Sequence, residues 1–165
     1  MTDALLLLGS NVEPEKNIPA ALEALRNMWG IKLLAASPTF QSPAIGADGL
    51  PAAQPEFHNT AVYIRTDLSV RQLRAALRNI EAQLGRVRTS DKYAPRPIDI
   101  DIAFYGSSVV EVDGTVIPDP DIERQPHVAV PLAEIAPDWR HPLSGMTLRQ
   151  IAGRLANQEM EMVRL

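Results

Sequence analysis

Two aspartates separated by one residue are the feature of this sequence most suited to chemistry. They lie in the segment Ile98-Asp99-Ile100-Asp101-Ile102. Because alternate side chains of a β-strand share a face, a strand here places the isoleucines on one side and both aspartates on the other. The two carboxylates then lie about 6–7 Å apart and repel each other. A Mg²⁺ ion bound by these oxygens removes the repulsion, and the alternative is a strand with a solvated acidic face.

Arginines flank the two aspartates in the sequence. Arg86 and Arg88 follow the end of a predicted helix, and Arg96 stands between two prolines just before the strand. The prolines favour an extended backbone at Arg96, since proline fixes its own φ and restricts the residue before it. Guanidinium groups beside two carboxylates can neutralise a polyphosphate whose oxygens are bridged by metal ions. The pattern favours phosphoryl transfer, and the sequence lacks the Gly-x-x-x-x-Gly-Lys-Ser/Thr loop of a P-loop enzyme.

The charge distribution favours a small anionic ligand over a nucleic acid. The chain has 165 residues and a net charge of −4, which argues against binding through many phosphate contacts. Seven arginines nevertheless fall between Arg65 and Arg96, and a local cationic region suits a nucleotide triphosphate. For Arg71, Arg74 and Arg78, a solvated helix face is an equally good interpretation.

Composition predicts one ordinary globular domain over residues 1–165. Apolar residues make up 45% of the chain and charged residues 22%. No apolar run is long enough to span a membrane, and there is no cysteine for a disulfide. The first residues lack the basic region and cleavage site of a signal peptide. We therefore expect a cytoplasmic enzyme that contacts neither membrane nor nucleic acid, as a monomer or weak homodimer.

The hydrophobic pattern predicts an α+β fold. Strands are predicted at residues 4–8, 31–40, 57–66 and 98–104. One helix, beginning near Pro14 or Pro19, precedes Gly30, and a second, capped by Asp67 or Ser69, precedes Gly85. The order βαββαβ predicts a ferredoxin-like core, with helices packed on a mostly antiparallel sheet.

Segments outside this core are predicted from turn residues and composition. Residues 42–55 and 86–97 form long loops, which in a small domain are more often functional than not. A hairpin around Asp113-Gly114 and a helix from about Thr147 extend the core at its C-terminal side. Between them lie a proline-rich stretch and a short apolar segment, and the last apolar residues are expected to be packed: Met160, Met162 and Val163.

Several motifs together resemble one enzyme family. Gly85-Arg86-Val87-Arg88, followed by Pro95-Arg96-Pro97-Ile98-Asp99-Ile100-Asp101, is similar to the signature of the 6-hydroxymethyl-7,8-dihydropterin pyrophosphokinases of folate biosynthesis. Residues 8–11, 42–46, 54–62 and 131–137 fit the same family in order, so the resemblance covers nearly the whole chain. It implies transfer of pyrophosphate from ATP to the pterin hydroxymethyl group, with AMP as the leaving group.

The resemblance also implies roles for individual residues. Asp99 and Asp101 would ligate two Mg²⁺ ions that bridge the triphosphate, and Arg86 and Arg96 would act with them as catalytic residues that face the phosphates. The positions implied to bind ATP are Glu81, Arg88, Tyr93, Arg96 and Ile102. The positions implied to bind the pterin are Ser42, Pro43, Ala44, Ile45, Phe57, Asn59 and His127.

Two of these residues also suit a pterin on chemical grounds alone. Asn59 offers an amide donor and acceptor, as the edge of a pyrimidinone requires, and Phe57 offers an aromatic face for a flat heterocycle. The alternatives are a sheet-end hydrogen bond for Asn59 and a place in the core for Phe57.

The sequence departs from the family pattern after the hairpin. Asp119 stands where the family usually has a histidine, Gln125 where it has an arginine, and His127 where it has a phenylalanine; Arg124 is one place out of register. These changes remove cations from the triphosphate side and replace one aromatic face with an imidazole, which can still stack and hydrogen-bond. The alternative interpretation of His127 is an exposed loop residue.

Other functions fit parts of the pattern. The same fold could act on a modified pterin or another alcohol, or it could be a weakly active or inactive module that binds a nucleotide or a pterin. A purely structural interaction domain is the weakest alternative, because it gives no reason to place paired aspartates beside arginines.

Overall fold

The computed structural model describes residues 1–91, 93–156 and 163–165. The core elements follow the predicted order βαββαβ, with the second strand in two pieces. They are β1 (Thr2–Ser10), α1 (Pro14–Asn27), β2 (Ile31–Ala36), β3 (Phe40–Ser42), β4 (Phe57–Thr66), α2 (Val70–Gln83) and β5 (Asp99–Tyr105). The sheet order is β5-β1-β4, with β2 and β3 both paired to β4, and every pairing among the described residues is antiparallel. The ferredoxin-like prediction is confirmed.

The predicted strand at residues 31–40 is interrupted in the structure. Pro38 lacks the N–H that a continuous ladder requires, so β2 and β3 pair with different halves of β4. Ser37 preserves the contact at the break, because its N–H donates to the Ala61 carbonyl at 2.8 Å and its Oγ accepts from the Ala61 N–H at 2.9 Å. The break leaves Ser42 of β3 opposite Phe57 of β4.

Apolar side chains on both faces of the sheet explain the unbroken apolar run in β1. Leu6 and Leu8 pack with α1 and α2 on one face, while Leu5 and Leu7 pack with two later helices on the other. Such two-sided burial is what a continuous apolar strand predicts. The sheet is therefore a middle layer between two pairs of helices.

The C-terminal extension contains one more α-helix than the sequence pattern predicts. It comprises β6 (Val110–Val112), β7 (Thr115–Ile117), a 3-10 helix (Pro120–Glu123), α3 (Pro126–Ile135), α4 (Leu148–Leu155) and β8 (Val163–Arg164). The predicted hairpin is present, and Asp113 and Gly114 at its turn have φ values of 51° and 84°. The segment predicted only as short and apolar is α3, which Pro126 can begin because the first turn needs no N–H donor.

The helix ends resolve the choices that the sequence left open. α1 begins at Pro14, with Pro19 inside the helix, and the cap of α2 is Ser69, whose hydroxyl accepts from the Gln72 N–H. The predicted start of the last helix at Thr147 is confirmed by an equivalent capping bond. None of the helices in the described part of the chain has the length and apolar character that crossing a bilayer requires.

The expected packing at the end of the chain is wrong for the residue that can be assessed. Val163 lies in β8 with 56% of its surface exposed. Met160 and Met162 lie outside the described residues.

Candidate active site

The isoleucines and aspartates of β5 point to opposite faces of the sheet. Ile98, Ile100 and Ile102 are at most 3% exposed and pack in the core formed with α1 and α2. Asp99 and Asp101 project from the other face, where both line the same cleft. The face assignment made from the spacing is confirmed. Because side chains alternate along a strand, burial of the isoleucines on one face places both carboxylates on the other.

Three hollows meet at this pair of carboxylates. The main cleft has a volume of about 630 Å³ and lies between β1, β4, the 42–55 loop and the start of α3. A second hollow of about 180 Å³, the arginine pocket, is formed by residues 86–89, 91 and 94–96 together with β5. The third, of about 260 Å³, is the hairpin pocket between α2, β5 and the β6–β7 hairpin. Asp101 lines all three hollows, and Asp99 lines the main cleft and the arginine pocket.

Three guanidinium groups converge on Asp99. Arg96 Nη1 donates to Asp99 Oδ2 at 3.0 Å, and Arg88 and Arg86 lie 3.8 and 3.9 Å from Oδ1. Burial by itself raises the pKa of Asp99, but the charges of Arg96 and Arg86 and the hydrogen bond from Arg96 outweigh it, and the pKa falls below its ordinary value. Asp99 is therefore ionised at neutral pH and holds the arginines together.

Asp101 has the opposite electrostatic environment. Burial and the nearby charges of Asp99 and Asp119 raise its pKa well above the usual range of an aspartate.

A cation bound beside Asp101 relieves this repulsion directly. Mg²⁺ fits the site, because it takes one or two carboxylates and fills its remaining positions with phosphate oxygens and water. No group of three or more acidic, histidine or cysteine side chains that could hold a metal occurs among the described residues, so a cage made of protein side chains alone is not available there.

A buried glutamate holds two arginines of the site in place by accepting their hydrogen bonds. Glu81 is 1% exposed and accepts three hydrogen bonds: from Arg88 Nη2 at 2.7 Å, Arg78 Nη1 at 2.9 Å and the Ile100 N–H at 2.7 Å. The last bond fixes the peptide between Asp99 and Asp101. The structure therefore places Glu81, predicted to contact the nucleotide, where it positions other residues and is shielded from a ligand.

The remaining residues predicted to bind ATP are divided among the hollows. Arg88 and Arg96 line the arginine pocket, and Ile102 lines the hairpin pocket. Tyr93 lies instead in the main cleft, among the residues predicted to bind the pterin.

Most residues predicted to bind the pterin line the main cleft. They are Ser42, Pro43, Ile45, Phe57, Asn59 and His127. Asn59 is 4% exposed, and its Nδ2 donates to Ser42 Oγ at 2.7 Å, so its amide is fixed in orientation. Ala44 differs from this group, because it is 3% exposed and its carbonyl accepts from the Ala52 N–H at 2.7 Å. Ala44 supports the loop and has little surface to offer a ligand.

His127 lies in the first turn of α3 and faces the main cleft. Burial lowers its pKa, so the imidazole is neutral at neutral pH. Asp119 and Gln125, the other departures from the family pattern, also line this cleft, whereas Arg124 is exposed. The pKa of Asp119 is raised, chiefly by burial. This wall of the site therefore carries acidic and neutral side chains.

Sequence reasoning missed a residue that connects the loops of the site. Asn11 is 2% exposed, and its side chain donates to Gln54 Oε1 and the Pro55 carbonyl, both at 3.2 Å. Its Oδ1 accepts from the Arg96 N–H at 2.8 Å, and its own N–H donates to the Arg96 carbonyl at 3.1 Å. The signal was present in the Gly9-Ser10-Asn11 turn, but a buried asparagine is recognisable as a hub only when its partners are known.

The fold and this site define a class of protein, the phosphoryl-group transferases with a ferredoxin-like fold. In this class, two carboxylates on one strand lie beside clustered arginines. Residues 5–137 match the family model described as 7,8-dihydro-6-hydroxymethylpterin-pyrophosphokinase. The chain belongs to this family, and it is accordingly a diphosphotransferase of folate biosynthesis.

Named relatives support the same assignment. The 2-amino-4-hydroxy-6-hydroxymethyldihydropteridine pyrophosphokinase of Synechocystis is 38% identical over 149 residues, covering 90% of this chain and 73% of the relative. The protein of the same name from Methylorubrum extorquens is 37% identical over 164 residues, covering 99% of both. A folic acid synthesis protein of Pneumocystis carinii is 34% identical over 159 residues, which are 20% of its length.

Solved structures share the fold at low sequence identity. Plasmodium falciparum HPPK-DHPS, crystallised with pterin and p-hydroxybenzoate, superposes with a TM-score of 0.73 at 13% identity. The match covers 99% of this chain and 46% of that one, so the present chain spans less than half of the larger protein.

The raised pKa of Asp101 predicts an effect on stability. Replacing Asp101 with asparagine removes a carboxylate whose ionisation opposes folding, so we expect the metal-free variant to melt above the wild type at pH 7–8. Because the pKa is higher in the folded state, the wild type loses stability as pH rises from the unfolded-state pKa, about 4, to the folded-state pKa. Each kcal/mol gained corresponds to about 2–4 °C in Tm for a chain of this size.

Melting curves recorded in a chelator from pH 4 to pH 8 measure this effect. The gain for Asp101→Asn should grow with pH, whereas Asp138→Asn, which alters an exposed ion pair with Arg149, should leave Tm nearly unchanged. An Asp101→Asn gain that is absent at pH 8, or equal at all pH values, would contradict the electrostatic interpretation.

Proposed function

We propose that this enzyme transfers a pyrophosphoryl group from ATP to the hydroxymethyl group of 6-hydroxymethyl-7,8-dihydropterin and releases AMP, with two Mg²⁺ ions held by Asp99 and Asp101. The observation that carries the proposal is the meeting of three hollows at Asp101, beside three guanidinium groups on Asp99. The proposal includes a cytoplasmic location and a monomer or weak homodimer.

The arginine pocket supplies the binding energy for the phosphates. Arg86, Arg88 and Arg96 line it, and each guanidinium has five N–H donors, so it can bind phosphate oxygens while keeping its contact with Asp99. Burial lowers the pKa of Arg86, but an arginine remains protonated at neutral pH. Asp99 and Asp101 would hold Mg²⁺, which would supply charge compensation for the phosphates.

The main cleft supplies the pterin site. Ser42 fixes the Asn59 amide through Nδ2, which leaves Oδ1 as an acceptor for the N–H groups on a pterin edge. Phe57 and His127 offer flat surfaces to a ring system, and the neutral imidazole can also hydrogen-bond. The Arg96 guanidinium carbon lies 5.8 Å from the centroid of the Phe57 ring, so Arg96 joins the pterin site to the phosphate site.

The reaction joins the contents of the main cleft and the arginine pocket. The hydroxymethyl oxygen attacks the β-phosphorus, the bond from that phosphorus to the α,β-bridging oxygen breaks, and AMP leaves with the electron pair. The hydroxyl proton passes to solvent. Such a transfer requires chiefly in-line positioning and charge compensation. Arg96 is placed for both, since it contacts Asp99 at 3.0 Å and lines both hollows.

A different acceptor alcohol is the second candidate. Asp119, Gln125 and His127 line the main cleft and favour it, because they give one wall a polar and partly acidic character. A modified pterin with additional hydrogen-bond donors would suit this wall.

The nucleotide product distinguishes these functions. With Mg²⁺, ATP and 6-hydroxymethyl-7,8-dihydropterin, we expect stoichiometric AMP and pterin diphosphate, measured by chromatography and phosphorus NMR. We expect Asp99→Ala and Asp101→Ala each to reduce kcat by at least about a hundredfold, because the charge compensation at the phosphates is lost. Asp138→Ala, outside the three hollows, is the matched control.

Other products have definite meanings in the same assay. ADP would indicate simple phosphorylation and refute pyrophosphoryl transfer. AMP formed with another pterin alcohol but not with this one would establish the second candidate. Wild-type rates in either Asp99→Ala or Asp101→Ala would refute the metal assignment.

Gly9 tests the location of the pterin site. A Cβ placed on Gly9 lies 3.7 Å from both Asn59 Oδ1 and a ring carbon of Phe57, which is an ordinary contact. A leucine extends further between these two side chains and competes with the pterin. We expect Gly9→Leu to raise KM for the pterin about tenfold or more, equivalent to at least about 1.4 kcal/mol of binding.

The matched variant is Gly9→Ala, whose single methyl group fits and should change KM about twofold or less. Affinity for a non-hydrolysable ATP analogue, measured by calorimetry, should be unaltered in both variants. If Gly9→Leu binds the pterin like the wild type, the pterin does not lie between Asn59 and Phe57.

A further inference from the structure

One row of residues crosses the sheet on the face that carries the main cleft. The strand pairings define it: Asp99 lies opposite Gly9, Gly9 opposite Asn59, Asn59 opposite Phe40, and Phe40 opposite Arg164. Residues directly opposite each other in antiparallel strands point to the same face, with Cβ atoms about 4.5–5.5 Å apart. This cross-sheet row therefore runs from an aspartate of the proposed metal site, through the position of the acceptor, to the strand β8.

The proposed function gives roles to the first three positions of the cross-sheet row and none to Phe40. Phe40 is 5% exposed and lies in β3, which is only three residues long. It is the neighbour of Asn59 on the side away from Gly9. Gly9 leaves space beside the Asn59 amide, since even a Cβ there would lie 3.7 Å from Asn59 Oδ1. The amide thus has open space on one side and a buried phenyl ring on the other, so packing directs it towards the cleft.

The second residue that fixes Asn59 also belongs to β3. Ser42 follows Phe40 by two positions, so both side chains are on the same face of the strand. Ser42 Oγ accepts from Asn59 Nδ2 at 2.7 Å. Any displacement of β3 along β4 therefore moves the neighbour and the hydrogen-bond acceptor of the Asn59 amide together.

β8 holds β3 from its outer side. The Leu165 N–H donates to the Thr39 carbonyl at 2.8 Å, and Gln41 lies opposite Val163. Hydrogen-bonded and non-bonded pairs alternate along an antiparallel ladder, so the pair formed by Gln41 and Val163 is hydrogen-bonded as well. Without β8, this short strand would be an edge paired on one side only.

An ion pair connects the same edge of the sheet to α3. Arg164 Nη1 lies 3.2 Å from Glu134 Oε1, and Glu134 belongs to the helix whose first turn carries His127. The two side chains are 60% and 34% exposed, so the pair is weakened by solvent, and the backbone pairing of β8 supplies most of the restraint on β3.

We propose that Phe40 is a positioning residue of the acceptor site: braced by β8, it holds the Asn59 amide in the orientation that the acceptor requires. This inference rests on the proposed function only in taking Asn59 as a residue that contacts the acceptor. A hydrogen bond weakens steeply as its angle departs from linearity, so a small displacement of the amide reduces affinity for the acceptor. The arginines on Asp99 lie at the other end of the cross-sheet row, so nucleotide binding should be unaffected.

Calorimetry with the pterin alcohol, in the presence of Mg²⁺ and a non-hydrolysable ATP analogue, measures this effect. We expect Phe40→Leu and Val163→Pro each to weaken pterin binding roughly three- to tenfold, the usual effect of impairing one buried hydrogen bond. Proline at position 163 removes the N–H that pairs with β3. Affinity for the ATP analogue should stay within about twofold of the wild type in both variants, because its site is distant from β3.

Two variants control for general loosening of the fold. Phe104→Leu removes a phenyl ring from the same face of the sheet, but Phe104 pairs with Leu5 near the far end of β5 and packs against Trp139. This variant should lower Tm and leave pterin affinity within about twofold of the wild type. Val163→Thr retains the N–H and should bind the pterin like the wild type.

The side-chain amide of Asn59 provides a readout that needs no ligand. In ¹H–¹⁵N spectra, Val163→Pro should shift or broaden the Asn59 Nδ2 signals, because β3 and Ser42 move relative to this amide. The internal control is Asn17 Nδ2 in α1, which donates to the Val12 carbonyl at 2.6 Å and should give unchanged signals. Val163→Thr should leave both sets of signals unchanged.

The outcomes distinguish this inference from the proposed function. Weaker pterin binding in both Phe40→Leu and Val163→Pro, with the ATP analogue unaffected, supports it. Wild-type pterin affinity in both variants, or an equal loss in Phe104→Leu, overturns it and leaves the proposed function intact. If Phe40→Leu fails to fold, Val163→Pro decides the question, because Val163 is 56% exposed and contributes little to the core. If the wild type fails to bind the pterin at all, the proposed function fails, and unchanged Asn59 signals in Val163→Pro overturn the inference separately.

Discussion

The burial of three isoleucines in the core on the α2 side of the sheet is the constraint on which the site depends. Because Ile98, Ile100 and Ile102 occupy the core, the residues between them must face the opposite side of the sheet. A shift of β5 by one residue would bury two carboxylates and expose the isoleucines. The hydrophobic effect thus places two like charges side by side, and the surrounding structure has to make that arrangement tolerable.

The negative charges of the two aspartates are compensated unequally by their surroundings. Asp99 is surrounded by guanidinium groups and remains ionised, while Asp101 faces Asp99 and Asp119. Glu81 anchors two arginines and the β5 backbone behind this arrangement. A cation bound beside Asp101 would offset the charge repulsion there, and its binding would then stabilise the folded state.

Patterns that depend on local periodicity were predictable from the sequence. The alternation in β5, the helix spacing in α2 and the Asp113-Gly114 turn each reflect a rule that acts within a few residues. The βαββαβ order followed from these elements. The division of the second strand was missed because the prediction ran past Pro38, whose missing N–H interrupts the ladder. α3 was missed because its residues were predicted only as a short apolar segment, whereas burial against the second face of the sheet favours a helix.

Features that depend on contacts distant in sequence were not predictable. The burial of Glu81, the position of Tyr93 in the main cleft and the covered position of Ala44 arise only when α2 and the loops pack around the sheet. Arg74 donates to Thr115 and Arg78 to the Ile100 carbonyl, and each of these two contacts joins residues more than twenty positions apart in the chain. A resemblance between motifs transfers positions in the chain, but the hollow that each side chain faces depends on packing among all of them.

The Asn11 side chain has a consequence for motion around the cleft. It holds the end of the 42–55 loop through Gln54 and Pro55, and it holds the 86–97 segment through Arg96. Gln54 in turn donates to the Tyr93 carbonyl at 2.8 Å. Neither segment can swing outward without breaking bonds to the same amide or to its immediate partner. The two rims of the cleft are therefore mechanically linked, because displacing either one breaks hydrogen bonds that connect it to the other.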